Sequence, residues 1–488
     1  MTTGWTPGQR TGPGRDKLVS LKLPAMVVPV IVHPVNSSWT LLALILCGST
    51  GFAEVLTLPE AIDQALVHNR RILQADLLVE EALIVADSAA AAFTPRLGPE
   101  FGTLTSGEND FQYAGLQARK RFVSGAEADA AGGMEFRDGD DGAYLRFSLS
   151  QPLFRNAGSL VQREPEVAAL ERVAEARRNG YLRREDVVLE VVRGYESVLR
   201  YQRQVELDSE SVRRLGRLTI LTRAREENGE GSRIDTLRME LQEGEAQTRF
   251  ENNRELLQLE QDDFLNLLGL PGATSLTLHP PPLLDLELPP LDEAVQVALS
   301  NRLDIAQALQ QVSTADRQVR LARRNLQPDL RAFGTYRLIG GQQGRDEFAL
   351  EEERWSAGFS LAPDLDRYER RANLLSTLTQ RDLQSLAVAD LERWVEIDVK
   401  QQVRAYHRAM ANHQIAVRNT DLARKRLELA EVMYQMGSVD NFHVSDAETA
   451  FAESSSAELA ARAEASLAGY RALKSLGTLV EAPDALRP

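Results

Sequence analysis

The chain has 488 residues, a formal net charge of −15 and a mean hydropathy of −0.29. This length exceeds one compact domain, and 6% aromatic with 26% charged residues favours long amphipathic helices over an aromatic-rich core. The acidic balance argues against a nucleic-acid-binding protein, because neutralising phosphates requires a basic face. The hydropathy excludes a bundle of apolar transmembrane helices but not a membrane β-barrel, whose strands alternate in polarity.

Residues 1–53 have the three parts of a secretory signal. Basic residues precede a short apolar run, Trp39 to Leu46, and small residues follow as far as Ala53. We expect cleavage after Ala53, which removes four basic residues and one acidic residue and leaves a mature charge of −15 − 3 = −18. The alternative is an uncleaved membrane anchor, but Pro34 and the polar residues after it interrupt the apolar stretch before the roughly 20 residues that a spanning helix needs.

Cys47 is the only cysteine, so the chain forms no internal disulfide. It lies inside the predicted signal. A lipid anchor at this cysteine would need a small residue before it, and because Leu46 is large we expect no lipidation.

The expected mature chain contains two copies of one unit. Several residues recur 233 positions later without a gap, as Leu58 and Leu291 do (291 − 58 = 233). Gly229 and Gly437 are only 208 apart, so we place the 25 additional residues of the first copy in a longer loop region around 107–142. We expect a first repeat at 54–269, a proline-rich linker at 270–290, a second repeat at 291–477 and a tail at 478–488. The other matched residues of the first copy are Glu60, Ala61, Ile62, Ala65, Leu66, Ile72, Ala75 and Pro95.

Each repeat is predicted to consist of a helix, a pair of strands, a very long helix, a turn and a returning helix. The first helix spans Pro59 to Phe93 and ends before Pro95. Alternating apolar and polar residues predict strands at 145–150, 330–338 and 355–361, and less regularly at 97–105. The strand that contains each segment is expected to be about 9–11 residues long, the length of a tilted membrane-crossing strand, and soluble hairpins are the alternative.

The stretch between Pro165 and Gly229 contains no proline and has apolar residues at every seventh position, which predicts a helix in a coiled coil. A helix of about 64 residues extends to roughly 100 Å, too long for a globular domain to enclose. The residues at heptad spacing are Tyr181, Val188, Tyr195, Val191, Val198, Val205 and Val212 in this helix, Phe250, Leu257 and Phe264 in the returning helix, and Ile415, Leu422, Leu429 and Met436 in the second repeat.

Signatures of catalysis are lacking in the sequence. No two of the six histidines have the i, i+4 spacing that would place both on one helical face as metal ligands. The sequence also has no phosphate-binding loop, no dinucleotide fingerprint and no nucleophile elbow. We therefore expect a protein that is not an enzyme and binds no cofactor or metal.

These features together resemble the TolC-type outer membrane efflux proteins. The resemblance rests on the duplicated Leu-x-Glu-Ala start, the proline after each first helix, the strand-then-proline turns and the glycine turns, and it covers residues 54–477. It implies a mainly α fold with a small β part, in which each subunit of a homotrimer gives four strands to a 12-stranded β-barrel. That barrel would continue into a coiled-coil α-helical tunnel in the periplasm.

The resemblance also implies a gate where the helical hairpins turn, at Gly229 and Gly437. The family's gating tyrosine, three residues before the second glycine, corresponds to Tyr434, and its acidic partner corresponds to Asp235. Of the two aspartates that form the family's acidic constriction, one corresponds to Asp446 and the other is replaced. The sequence departs from the family at His443, which stands in the place of that second aspartate, and at Val439, which stands in the place of an arginine.

We therefore expect a passive outer-membrane exit duct for small molecules, metal ions or proteins, in a tripartite efflux or type I secretion system. Its partners would be two further copies of itself, a periplasmic adaptor, an inner-membrane transporter and outer-membrane lipid, with no nucleic acid. The alternative is a periplasmic coiled-coil scaffold or adaptor without a membrane barrel. Adaptors, however, usually flank one hairpin with a lipoyl-like or β-barrel domain, whereas here the hairpin is duplicated.

Overall fold

A computed structural model describes residues 54–106, 109–137, 142–271, 276–341, 350, 352–363 and 366–488. The predicted signal at 1–53 lies outside these ranges, together with Cys47. Within the described ranges the structure consists mainly of helices, with one larger and one very small sheet.

The helices follow the same order in the two halves of the chain. Two consecutive helices precede the strands of each half, and a very long helix followed by a returning one comes after them. In the part of the chain that the structure describes, no helix is both long and apolar enough to cross a membrane. The helices are α1 Leu58–His68, α2 Arg70–Ala90, α3 Ser159–Gln162, α4 Glu164–Glu227, α5 Arg233–Leu268, α6 Leu291–Asn301, α7 Leu303–Asn325, α8 Tyr368–Gln435 and α9 Asn441–Ser475.

The first helix of the first half was predicted as one segment, and this prediction was wrong. Asn69 has extended backbone angles and separates α1 from α2. Its side chain accepts a hydrogen bond from the backbone N–H of Arg71 and donates one to the carbonyl of Leu267, so it caps α2 and ties it to α5. The second half has the same break at Arg302.

The larger sheet has six antiparallel strands in the order β2-β3-β4-β5-β7-β8, and the smaller one pairs β1 with β6 in parallel. β6 lies within the segment predicted as a linker. The Tyr195 hydroxyl of α4 lies within hydrogen-bond distance of two carbonyls of the small sheet, at 2.9 Å from that of Leu56 in β1 and at 2.7 Å from that of His279 just after β6. The strands are β1 Glu54–Leu56, β2 Arg96–Ser106, β3 Asn109–Arg121, β4 Glu127–Arg137, β5 Gly142–Pro152, β6 Leu276–Leu278, β7 Asp329–Gly341 and β8 Glu352–Ala362.

The expectation of four strands in this sheet was also wrong, because the region predicted as a longer loop contains β3 and β4. We call this pair and its turn, residues 109–137, the inserted hairpin. Its alternation escapes a search for large apolar residues, because one face carries mainly alanine and glycine, as at Ala114, Ala130 and Gly132. Small residues give a weak hydrophobic period even where their strand is fully paired.

The principal core joins α1, α4, α5 and the small sheet. The heptad residues Val188, Val191, Tyr195 and Val198 of α4 are all buried in it, as their spacing indicates. The heptad residues in and just after α8 behave differently, since Ile415, Leu422, Leu429 and Met436 are 58–67% exposed in the single chain. The face that α8 packs against α9 is formed by other residues, among them Ala423 and Leu427, which contact Ala447 and Phe451.

Candidate gate at the helix turns and candidate pore wall

Gly229 and Gly437 end the two long helices with the same backbone geometry, as the sequence predicts. Their φ angles are 75° and 72°, values that glycine adopts without strain. The next residue donates its N–H to the carbonyl five positions back, from Glu230 to Arg225 and from Ser438 to Met433. This is the Schellman termination, which satisfies carbonyls at the end of a helix.

Tyr434 joins the ends of the two long helices. Its hydroxyl lies 2.9 Å from the hydroxyl of Thr222 in α4, and both side chains are buried. The Arg225 guanidinium lies 4.5 Å from the ring centroid and donates a 3.1 Å hydrogen bond to the carbonyl of Tyr434. This cluster connects the first repeat to the second within two helical turns of the glycines.

Asp235 is not the partner of Tyr434 that the resemblance implied. Its carboxylate lies 3.4 Å from Arg238, and its backbone carbonyl accepts a 2.8 Å hydrogen bond from the Nδ2 of Asn441. Arg238 in turn donates to the Oδ1 of Asn441. Asn441 is therefore a buried bridge between the starts of α5 and α9.

His443 and Asp446 are half-exposed or more on α9. The Nδ1 of His443 lies 2.7 Å from Asp440, and this hydrogen bond holds the pKa of the Asp440 carboxyl below its usual value. The Asp446 carboxylate forms an ion pair with Arg426 of α8. Asp235, Asp440 and Asp446 therefore each have a cationic or hydrogen-bonding partner in their own subunit.

A second link between the repeats lies deeper, where Arg214 of α4 contacts two carboxylates. It bonds to Glu448 of α9 at 2.8 and 3.2 Å and lies 3.8 Å from Glu431 of α8. Burial raises the pKa of Glu431.

Sequence reasoning missed Thr222, Arg225, Arg214 and Asn441. Heptad spacing could have found the first of them, because Thr222 follows the fully buried Leu215 by seven residues.

The six-stranded sheet has one apolar and one charged face. Pairing places one side chain of each strand in a row on the apolar face, as in Leu97, Ala118, Ala130, Phe147, Tyr336 and Trp355. We call this the outer face. Its only charged residues with described side chains are Lys120 and Glu353, each next to the end of its strand.

The opposite, inner face carries ion pairs that reach across several strands. Arg146 of β5 lies 3.2 Å from Glu100 of β2, although two strands lie between them. Arg337 of β7 similarly contacts Glu135 of β4 across β5. Such contacts require the sheet to curl around this face, so the charged face is concave and the apolar face convex.

Comparison with known proteins agrees with this architecture. Residues 294–478 match the profile of the family described as Outer membrane efflux protein. No curated protein matches the chain. The similar solved structures include outer-membrane channels.

The similar solved structures share the fold along most of their length. A membrane protein from Pseudomonas aeruginosa has a TM-score of 0.68 at 18% identity, over 86% of this chain and 93% of that one. The outer membrane protein VceC from Vibrio cholerae has a TM-score of 0.66 at 17% identity, over 86% and 96%. The open MtrE outer membrane channel of Neisseria gonorrhoeae has a TM-score of 0.63 at 17% identity, over 87% and 89%.

The sequence match covers most of the second repeat, and the structural match extends over both repeats. The resemblance deduced from the sequence is thereby confirmed, together with the outer-membrane location that it implies. Residues 294–478 match the outer membrane efflux protein family, and the chain as a whole has the fold of the similar solved channels.

Proposed function

We propose that this chain is one subunit of a trimeric outer-membrane channel, the exit duct of a tripartite efflux or type I secretion system. The observation that carries the proposal is a curved sheet with an apolar convex face and a charged concave face, joined through short connections to helices of 64 and 68 residues. Such a sheet suits a wall between lipid and water, and helices of roughly 100 Å suit a duct across the periplasm.

The open edges of the sheet support assembly from several copies. β2 and β8 are its edge strands, and hydrocarbon leaves unpaired backbone groups without partners. The two edges run in opposite directions, because five antiparallel pairings separate them. The β2 strand of one copy can therefore continue the antiparallel ladder beside the β8 strand of the next.

Exposed apolar stripes on the helices support the same conclusion. The heptad residues of α8 form one stripe, and Ile220 of α4 with Ile234, Leu237 and Leu241 of α5 forms another near the same turns. Stripes of this kind usually pack against a neighbouring helix. We assign them to the contacts between subunits.

Within this channel, the turn residues form the periplasmic gate. Tyr434, Asp235, Asp446, His443, Gly229 and Gly437 are assigned to it, together with Thr222 and Asn441.

Residues 1–53 serve as the signal, 54–269 and 291–477 as the two repeats, 270–290 as the linker and 478–488 as a tail. The channel itself is passive and transports small molecules, metal ions or proteins supplied by an inner-membrane transporter through a periplasmic adaptor.

The oligomer is tested by solubilising the protein from outer membranes in detergent and measuring the mass of the protein part. We expect about three times the mass of one chain and a circular dichroism spectrum with both α and β components. A monomer without β signal would contradict the proposal. Release with the soluble periplasm on fractionation would instead favour a coiled-coil scaffold.

A further inference from the structure

We propose that the inserted hairpin is part of the barrel wall, so that each subunit contributes six strands and a trimer closes an 18-stranded barrel with a charged lumen. This inference rests on the proposed trimeric channel. The resemblance implied four strands per subunit, and the additional two lie between β2 and β5 rather than at an edge or above the sheet.

The outer face of the inserted hairpin continues the apolar face of its neighbours. β3 places Ala114, Leu116 and Ala118 on this face, next to the outward residues of β2. β4 places Ala128, Ala130, Gly132, Met134 and Phe136 there, next to those of β5. A hairpin in water would not need these eight outward positions to be free of charge, and in the described outer face the hairpin's only charge is Lys120, beside the turn. Gln112, the next outward residue of β3, lies towards the polar end of the strand that is far from the turn and is not included among these positions.

The length of the hairpin matches the wall. β3 and β4 have 13 and 11 residues, and the strands beside them, β2 and β5, have 11 each. About 9–11 residues suffice for a tilted strand to cross the hydrocarbon layer. The hairpin therefore extends over the full height of the sheet.

The turn of the hairpin is fixed to the helical end of the wall. The carbonyl of Ser124 accepts hydrogen bonds from the side chain of Gln151, near the end of β5, and from the backbone N–H of Gly158, in the connection from β5 to the helices. Gly125 has a φ of 93°, and a Cβ there would lie 2.8 Å from the carbonyl oxygen of Asn156. The close fit places this turn at the level where the other strands meet the helices.

The charges on the inner face of the hairpin complement those of its neighbours. Asp129 of β4 lies 3.7 Å from both Arg119 of β3 and Arg146 of β5. Glu135 of β4 contacts Arg337 of β7. The hairpin thus supplies carboxylates to two arginines of the remaining wall, which indicates that these arginines and the hairpin share one inner surface.

A barrel's diameter grows roughly in proportion to its number of strands, so 18 strands would make it about 1.5 times as wide as 12. The added strands would also line the lumen with paired arginine and carboxylate groups. The barrel would then admit cargo of larger cross-section than a 12-stranded one, provided that the helical duct opens.

Single cysteines in reconstituted vesicles test the position of the hairpin. The cysteine of the predicted signal is first replaced, as Cys47→Ser. Ala114→Cys and Gln117→Cys then report the outer and inner faces of β3, and Ala357→Cys and Ser356→Cys are the matched controls on β8. We expect the outward cysteine of each pair to react with a membrane-impermeant sulfonated maleimide at least about ten times more slowly, since thiolate forms poorly in apolar surroundings.

The two pairs distinguish this inference from the proposed function. If Ala357→Cys and Ser356→Cys differ while both hairpin cysteines react fast, the hairpin lies in water and the wall has 12 strands, but the channel remains. If the β8 pair also reacts uniformly, the barrel itself is refuted and the inference with it. Ala130→Cys on β4 is a second outward reporter should Ala114→Cys fail to assemble, and images of the detergent trimer measure the barrel width without any substitution.

Discussion

One of the links between the two repeats at the helix turns is a pair of hydroxyl groups. The Tyr434 hydroxyl and the Thr222 hydroxyl are both buried, and Thr222 is also bonded to the carbonyl of Leu218 in its own helix. Removing the tyrosine hydroxyl therefore deletes this one hydrogen bond between the helices, leaves Thr222 with a partner and keeps the contacts of Arg225 with Tyr434. This makes the contact a suitable place to weaken the gate without disturbing the fold.

We expect Tyr434→Phe to destabilise the closed turns by about 1 kcal/mol, the usual net contribution of such a hydrogen bond. In a two-state gate this shifts the ratio of closed to open channels about five-fold, and conductance in planar bilayers should rise.

Tyr406→Phe is the matched control. Tyr406 is equally buried, and its hydroxyl bonds to the backbone of Leu284 and Leu286, in the segment that precedes α6. Similar conductance changes in both variants would exclude a gating role for Tyr434.

Glu185 is a buried carboxylate of α4 whose environment favours its neutral form. Burial raises its pKa to about 7, and the nearby Lys474 and Arg302 only partly oppose this shift. Because the folded state holds the proton more tightly than the unfolded chain, stability is highest below the unfolded pKa of about 4.5 and falls as the pH rises towards 7.

Glu185→Gln should remove this dependence and stabilise the helical part by up to about 3 kcal/mol at pH 8, with little effect at pH 4.5. Urea unfolding followed by circular dichroism at both pH values measures the difference. Glu210→Gln, at an exposed position of the same helix, serves as the control. Equal stability of parent and Glu185→Gln at pH 8 would show that the carboxylate is solvated.

At the scale of single elements, α8 uses two of its faces differently. One face packs against α9 within the subunit, and the heptad stripe at Ile415, Leu422, Leu429 and Met436 is left exposed. The stripe lies on a helix whose remaining exposed surface is mostly polar. We therefore expect it to be covered only in the assembled trimer.

Ile415→Arg should reduce the fraction of trimer in detergent, because a charge placed in an apolar contact between helices loses its hydration without gaining a partner. Gln414→Arg introduces the same charge one residue earlier, on an exposed polar position, and should assemble normally. Native mass spectrometry or size exclusion with light scattering measures the trimer fraction. Normal assembly of the Ile415→Arg variant would remove the stripe from the interface.

At the scale of the whole molecule, the proposed channel places the curved sheet in the lipid of the outer membrane and the long helices in the water of the periplasm. The sheet turns its apolar face outwards and its ion pairs inwards, whereas the helices bury valine, alanine and tyrosine between one another. An open sheet and unpaired helical stripes both require further copies, and the two requirements are met by the same ring. Assembly and pore formation are therefore one event in this proposal.

The sequence by itself determined the features that depend on local periodicity. Heptad valines predicted α4, alternation predicted β2, β5, β7 and β8, and duplication showed that the two halves follow one plan. Gly229 and Gly437 were correctly placed at the turns, since reversing a helix with a Schellman motif requires a positive φ.

Only the tertiary structure decided the features that depend on distant partners. The inserted hairpin escaped prediction because its outward residues are small, and its strands are held by pairing with β2 and β5 rather than by a strong pattern of their own. The contacts of Tyr434 with Thr222 and of Asn441 with Asp235 join residues more than two hundred positions apart. No local rule reaches that far, because such contacts arise only when the two repeats pack side by side.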